Sequence, residues 1–248
     1  MDNIKNKIKA IIFDMDGTII SSENIWIEIT HQYLARRGHH NLDAAQKALI
    51  ISFSGVGLTE SATQIKRAFS LSEEVESIIA EKIELAKIMF QLKKPAFIEG
   101  FEQFAALLQT HQIPSALATN ADHLTLTHLT GQLSLRRFFG EHLYSIDYIG
   151  NRAKPDPGIF LHAAEKLGVK PEECIVFEDS QAGFKAAQAA GMRCIAIKNE
   201  KNKDLLHLTH HAIETYHEAV DALREVTGTV NESVVASTSE QPSPSEVR

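Results

Sequence analysis

Short, almost unbroken apolar runs recur along the chain, at Lys9–Asp14, Ile113–Thr119, Cys174–Glu178 and Arg193–Ile197, with a weaker one at Leu143–Ile149. Runs without the apolar–polar alternation of a half-exposed strand predict strands covered on both faces, as in parallel sheets. Helical spacing fills the intervals. Phe101, Phe104, Ala105 and Leu108 repeat with a helical period across Phe101–His111. Ile159–Leu167 follows Pro155 and Pro157 and stops before Gly168, and Gln181–Ala190 stops before Gly191. Strand and helix in alternation predict an α/β fold built on an open, doubly wound parallel sheet.

One interval breaks the alternation. Between about Asn24 and Phe90 no strand pattern is found. Ile25, Trp26, Ile29 and Tyr33 predict a helix ending near Gly38, and Asp43–Ile51, Thr59–Phe69 and Ser72–Phe90 predict more helix. Pro95 and Gly100 mark the return to the sheet pattern. We therefore expect residues 1–20 and 95–225 to form an α/β core and residues 21–94 a small helical cap over it. Trp26 is read as part of the cap's own packing, because apolar residues at helical spacing usually pack. Ser180 is read as a helix N-cap, and the small residues Ala182, Gly183, Ala186 and Ala187 as a face packed on the sheet. Residues 226–248, rich in Ser, Thr and Glu with two prolines close together, are expected to be a disordered tail. His207, His210, His211 and His217 precede it, with no carboxylate or cysteine at a recognisable metal spacing.

Composition narrows the field. The 248 residues are 44% hydrophobic and 23% charged, enough for a sizeable core in one domain or in a large and a small one. A net charge of −7 without a basic stripe argues against nucleic acid. The apolar run near the N-terminus is broken by aspartate, so it reads as neither signal peptide nor membrane span. Cys174 and Cys194 lie inside apolar runs and read as buried free thiols of a reducing, cytoplasmic compartment. A monomer or weak dimer is expected.

The chemistry gathers at the ends of the apolar runs. In KAIIFDMDGTII the first run ends in Asp14 and Asp16. On an extended segment these two face the same side, with α-carbons roughly 7 Å apart. They stand past the carboxyl end of a strand, where open α/β sheets bind ligands. Gly17 allows a tight exit and a close backbone approach. IVFEDS ends another run in Glu178 and Asp179. If the two strands are adjacent, four carboxylates meet at one edge. Such a cluster is repulsive and calls for a cation or a proton. All-oxygen donors without His or Cys suit Mg²⁺. A Ca²⁺ loop of the EF-hand kind fails on spacing: glycine is fourth rather than sixth, and the twelfth position is Ile25. ALATNA ends a third run in Thr119 and Asn120, a hydroxyl and backbone N–H groups suited to phosphate oxygens. In AKPDPG, Pro155 restricts Lys154 and lets its ammonium be aimed.

D-x-D-G-T, a Thr after a strand, Lys-Pro and Glu-Asp, in that order, resemble the motif set of the haloacid dehalogenase superfamily. The likeness is to its phosphatase and β-phosphoglucomutase-like branch, which carries a helical cap after the first strand. It runs from about Lys9 to Glu225, and AKPDPGIFLHAAEKLGVKPEECIVFEDSQAGFKAAQAAGM resembles that branch throughout. The resemblance implies that Asp14 is the nucleophile, forming an aspartyl-phosphate, and that Asp16 is general acid and then general base. It implies Mg²⁺ on the Asp14 carboxylate, the Asp16 carbonyl and Asp179, with Glu178 a ligand or a partner behind the ligands. Thr119 and Lys154 would hold the transferring phosphoryl group, with Gly17 and Asn120 completing the phosphate-binding set.

Two departures bear on the reaction. Many relatives have Asp-Ser-Glu after the first motif, whereas this chain has Ser21-Ser22-Glu23. β-Phosphoglucomutases carry Gly-Val-Ser-Arg in the cap, its arginine holding the second phosphate. Here the stretch is SGVGLTES, with Leu58 in that place and only Lys66 or Arg67 as substitutes from the next turns. Hydrolysis of a small phosphorylated metabolite is therefore expected, with a phosphosugar mutase as the alternative. A non-catalytic protein that binds a phosphorylated metabolite is the remoter one. A haloacid dehalogenase would need neither Asp16 nor the Glu178–Asp179 pair.

Overall fold

The first apolar run becomes strand β1 (Ala10–Phe13), buried along its whole length, in the computed structural model, which describes residues 1–53 and 56–228. A single helical turn, α1 (Asp2–Lys5), precedes it. Beyond β1 the chain passes through β2 (Ile20–Ser21) into four helices: α2 (Glu23–Ala35), α3 (Ala44–Ile51), α4 (Leu58–Ala68) and α5 (Val75–Leu92). It returns through β3 (Ala96–Phe97), which pairs antiparallel with β2. Alternation then resumes with α6 (Phe101–Thr110), β4 (Ser115–Ala118), α7 (His123–Leu133), α8 (Arg136–Phe139) and β5 (Leu143–Tyr144). It continues with α9 (Gly158–Leu167), β6 (Cys174–Glu178), α10 (Gln181–Ala189), β7 (Arg193–Ile197), β8 (His211–Ile213) and α11 (Ala219–Thr227).

Six of these strands make one parallel sheet in the order β5-β4-β1-β6-β7-β8. Phe13 is in register with Leu117 of β4 and Phe177 of β6. The residues that follow β1, β4 and β6 therefore emerge together at one edge, at the place where the strand order reverses. One face of the sheet carries Phe13, whose ring stacks on Phe177 at 5.3 Å and meets Phe101 edge-on at 5.7 Å, with Phe104 and Tyr216 around it. Tyr33 and Leu85 of the inserted helices belong to this same hydrophobic cluster. On the other face Ile12, Ala116 and Val176 pack against α9 and α10 through small residues. The expected α/β sheet with a helical insertion is thus the fold observed, and Cys174 and Cys194 are buried free thiols.

Elements with weak local signals are the ones that periodicity misses. The β2–β3 ribbon has two residues per strand, too few for a repeat. Helix α7 reads HLTLTHLTGQL, whose threonines blur its apolar stripe, although Asp122 caps it by accepting from the Thr125 N–H. The run Leu143–Ile149 is a strand only over Leu143–Tyr144 and then a 3₁₀ turn over Ile146–Ile149. Val226 and Thr227 belong to α11, so the expected tail cannot begin at 226; its residues 229–248 lie outside those described. His210 accepts from the Cys194 N–H, while His211 and His217 pair with Glu225 and Glu99. No described helix is long and apolar enough to cross a membrane.

Because Phe13 joins the sheet to α6 and to Tyr216, Phe13→Ala should lower unfolding free energy by about 3–5 kcal/mol. The measurement is a urea transition, with the midpoint falling and the slope unchanged.

Candidate active site

Beyond Phe13 the β1–β6 ladder continues for one more bond, Asp14 N–H to the Phe177 carbonyl at 3.0 Å. There the chain stops being extended. The Met15 carbonyl accepts from the N–H groups of Ile19 and Ile20 at 2.9 and 3.1 Å, closing a turn. The buried Tyr216 hydroxyl pins that turn by donating to the Thr18 carbonyl at 3.1 Å. Gly17, at φ 80°, is required twice over: its backbone is left-handed, and a Cβ there would lie 2.1 Å from Asp179 Oδ2.

Lys154 is the central side chain. Its Nζ donates to Asp14 Oδ1 at 2.6 Å and to Glu178 Oε1 at 2.9 Å. All three side chains are nearly sealed from solvent. The other oxygen of Glu178 accepts from the N–H groups of Asp179 and Ser180, both at 2.7 Å, and from the Ser180 hydroxyl. Glu178 thus occupies the N-terminus of α10, where a negative charge is favoured. Ser180 is the N-cap expected of it, accepting from the Gly183 N–H. A Cβ at Gly183 would sit 1.8 Å from the Glu178 carboxyl, so the glycine is what admits that carboxylate.

Burial sets the proton affinities here. It raises Asp14 to about 7, with Lys154 opposing and the Glu178 charge adding to the rise. Burial would lower Lys154, but Asp14 and Glu178 together raise it above its ordinary range. Burial, then the charges of Glu178 and Asp14, push Asp179 well above the usual carboxylate value.

Asp14, Glu178 and Asp179 each offer an oxygen within 4.8 Å of the others. Three buried carboxylates around one buried ammonium leave surplus negative charge, and every donor is a hard oxygen. This set fits a Mg²⁺ ion. Asn199 supports it by donating to Asp179 Oδ2 at 3.1 Å, and Asn202 holds the Asp179 carbonyl at 2.7 Å. No sequence motif marks either asparagine. Their one signal is position, directly after the run that forms β7.

The fourth expected carboxylate, Asp16, lines the same cleft as Asp14 but has other hydrogen-bond partners. Asp16 Oδ1 accepts from the Trp26 indole N–H at 3.0 Å and from the buried Ser22 hydroxyl. Asp14 and Asp16 both face this cleft, while the turn closed on the Met15 carbonyl follows them. Burial raises Asp16, against the hydrogen bonds from Ser22 and Trp26. Trp26 is therefore not merely cap packing: it meets Phe90 edge-on at 5.6 Å and also ties α2 to Asp16.

Thr119 is buried, and its hydroxyl oxygen accepts from the Ala121 N–H at 3.0 Å. Asn120 Oδ1 accepts from the Lys154 N–H at 2.9 Å, linking the ends of two of the predicted motifs. Asp14, Asp16, Gly17, Thr119 and Asn120 form the floor of a cleft of about 830 Å³, part of it open to solvent. The inserted helices supply the opposite wall, Leu58 among them. Neither Lys66, which pairs with Glu74, nor the exposed Arg67 lines it. Lys82 of α5 does. Sequence pattern hides it, because it sits in the helix's apolar stripe with Ile78, Leu85 and Met89.

A sequence profile described as a haloacid dehalogenase-like hydrolase matches residues 8–191. The chain is 28% identical over 206 residues to 6-phosphogluconate phosphatase of Escherichia coli, covering 82% of this chain and 88% of that one. It is also 28% identical over 231 residues to a bifunctional riboflavin kinase/FMN phosphatase of Arabidopsis thaliana. That match covers 92% of this chain but only 58% of the larger protein. Among solved structures, a family IA variant 3 hydrolase of Entamoeba histolytica superposes with a TM-score of 0.79 at 23% identity, covering 90% of this chain and all of that one.

Burial pushes the Lys82 ammonium down to about 8 from an ordinary 10.5. Below pH 8 both folded and unfolded states carry the proton, and the cost of burying the charge, about 3 kcal/mol, is fully present. Between pH 8 and 10.5 the unfolded chain binds more protons, so wild-type stability rises with pH. Lys82→Met should therefore be more stable than wild type at pH 7. The gap should close toward pH 10.5 in unfolding measured across that range.

Proposed function

Since the chain belongs to the haloacid dehalogenase-like hydrolases, we propose that it is a Mg²⁺-dependent phosphatase of small phosphorylated metabolites, working through a phosphorylated Asp14. The observation that carries this reading is the buried Asp14–Lys154–Glu178 chain of hydrogen bonds under a cleft that Asp16 also lines. The relative named as a 6-phosphogluconate phosphatase supports the substrate class. We take residues 21–94 as the cap and the sheet with its flanking helices as the catalytic core.

In this mechanism Asp14 attacks phosphorus with one carboxylate oxygen, forming a P–O bond as the bond to the alcohol oxygen breaks. Asp16 gives its proton to that departing oxygen, which is why a carboxyl with a raised proton affinity suits it. Asp16 then takes a proton from water as the water attacks phosphorus, and phosphate leaves with the Asp14 carboxylate restored. Lys154 holds Asp14 in place and offsets the charge of the phosphoryl oxygens, and Thr119 with the N–H groups around Gly17 and Asn120 would bind those oxygens. Glu178 acts through Lys154, which it aligns. Asp14, Asp179 and the Asp16 carbonyl would hold Mg²⁺, which when bound supplies positive charge against the anionic substrate.

A phosphosugar mutase built on the same floor is the competing reading. Leu58 lines the cleft where such enzymes carry the second-phosphate arginine, which favours hydrolysis. Free phosphate release from sugar phosphates, without isomerised product, distinguishes the two.

Asp14→Asn should lower kcat by at least ~1,000-fold with the fold intact by circular dichroism. EDTA should abolish turnover and added Mg²⁺ restore it; undiminished turnover in either case would end the proposal. Trp26→Phe removes one hydrogen bond to Asp16 and keeps the one from Ser22. It should lower kcat on the order of tenfold with little change in KM.

A further inference from the structure

Asp179 follows β6, and the side chains that hold it belong to the loop after β7. Asn199 donates to Asp179 Oδ2 at 3.1 Å. Asn202, only 1% exposed, donates to the Asp179 and Ile197 carbonyls at 2.7 Å each. The same two amides fold the loop on itself. Asn199 Oδ1 accepts from the N–H groups of Lys201 and Asn202 at 2.9 and 3.1 Å, and Asn202 Oδ1 accepts from the Asn199 N–H at 3.0 Å. Both ends of each amide are engaged, so a displacement of Lys201 is passed through Asn199 to Asp179.

Open space surrounds much of this loop. Lys201 lines the cleft and also a second cavity of about 750 Å³, partly open to solvent, which Asp179, Ser180, Asn199 and Asn202 share. Among the described residues, the polar contact that crosses from the loop to the inserted helices is the ion pair between Lys201 and Glu23. Both side chains are partly exposed, so the pair adds little to folding. Its importance is its position. Glu23 opens α2 between Ser22 and Trp26, the two residues that hold Asp16.

We propose that Glu23 and Lys201 are positioning residues for the Mg²⁺ site: their ion pair anchors the 199–202 loop to the first turn of α2, so that one turn of helix sets both Asp179 and Asp16. This rests on the Mg²⁺-dependent phosphatase reading above. Both residues act through Asn199 and Asp179, with no bond of their own to the ion. A Coulomb effect alone would behave differently. Removing the Lys201 charge near a cation site would strengthen Mg²⁺ binding, and removing the Glu23 charge would weaken it. Anchoring predicts that both removals weaken it.

The test is calorimetric titration of Mg²⁺ into the full-length, metal-free protein without substrate. Lys201→Met and Glu23→Gln should each weaken Mg²⁺ binding roughly three- to tenfold, less than the loss of a group that touches a metal ligand directly. The double variant should be no weaker than the worse single one, because both remove the same contact. Lys201→Arg keeps the charge and should stay near wild type. In turnover assays the Mg²⁺ concentration giving half-maximal rate should rise by the same factor, with kcat at saturating Mg²⁺ within about threefold of wild type. Lys201→Gln takes the place of Lys201→Met if the latter does not fold. Tighter binding after removal of the Lys201 charge, additive losses in the double variant, or unchanged affinities overturn the inference while the phosphatase reading stands. A wild type that binds no Mg²⁺ would instead reject the metal in that reading, and the inference with it.

Discussion

A lysine ammonium sealed between two carboxylates is the contact around which this molecule is arranged. Lys154 reaches Asp14 across 140 residues of chain and Glu178 across 24. None of the three charges is tolerable alone in an interior of low polarity; together, and with the α10 N-terminus behind Glu178, they are. That requirement explains features otherwise unrelated in sequence. β1 and β6 must be adjacent and in register so that residues 14 and 178 leave the sheet together. Gly17 and Gly183 must lack a Cβ because carboxyl groups fill the space it would take. Tyr216, from the far end of the chain, holds the Asp14–Ile20 turn by its hydroxyl.

The cluster is incomplete as a charge balance. Asp179 adds a third carboxylate, steadied by Asn199 and, among the described residues, by no ion pair of its own. The Mg²⁺ ion and anionic substrate proposed here would complete it in different ways, one by neutralising the acids and one by engaging Lys154. Asp16, the carboxylate proposed as acid and base, shares the cleft but not these hydrogen bonds. Asp16 is held by Ser22 and Trp26 at the entrance to the helical insertion, so its position depends on α2 as much as on the sheet. On the proposed reading the core would face the phosphorus end of a substrate and the insertion the rest of it.

Most of this site is legible in the amino-acid order alone, since each of Asp14, Thr119, Lys154, Glu178 and Asp179 adjoins a recognisable apolar run or a proline. The side chains that complete it are not. Trp26 and Lys82 sit at apolar helical positions, where periodicity can only suggest packing. Asn199 and Asn202 lie in a loop with no motif of its own. Asp16 shares the cleft with Asp14, but its partners, Ser22 and Trp26, come from the insertion and are not readable from the motif.

Local pattern was enough for the class of fold, the helical insertion and the acids, lysine and threonine at the strand ends, because burial runs, helix caps and strand-end residues are properties of neighbours along the chain. It took the folded chain to settle which carboxylate meets the ammonium, which one turns to an indole, and which buried lysine is left facing the cleft. Those outcomes depend on distances between residues far apart in sequence, and neighbours along the chain carry no information about them.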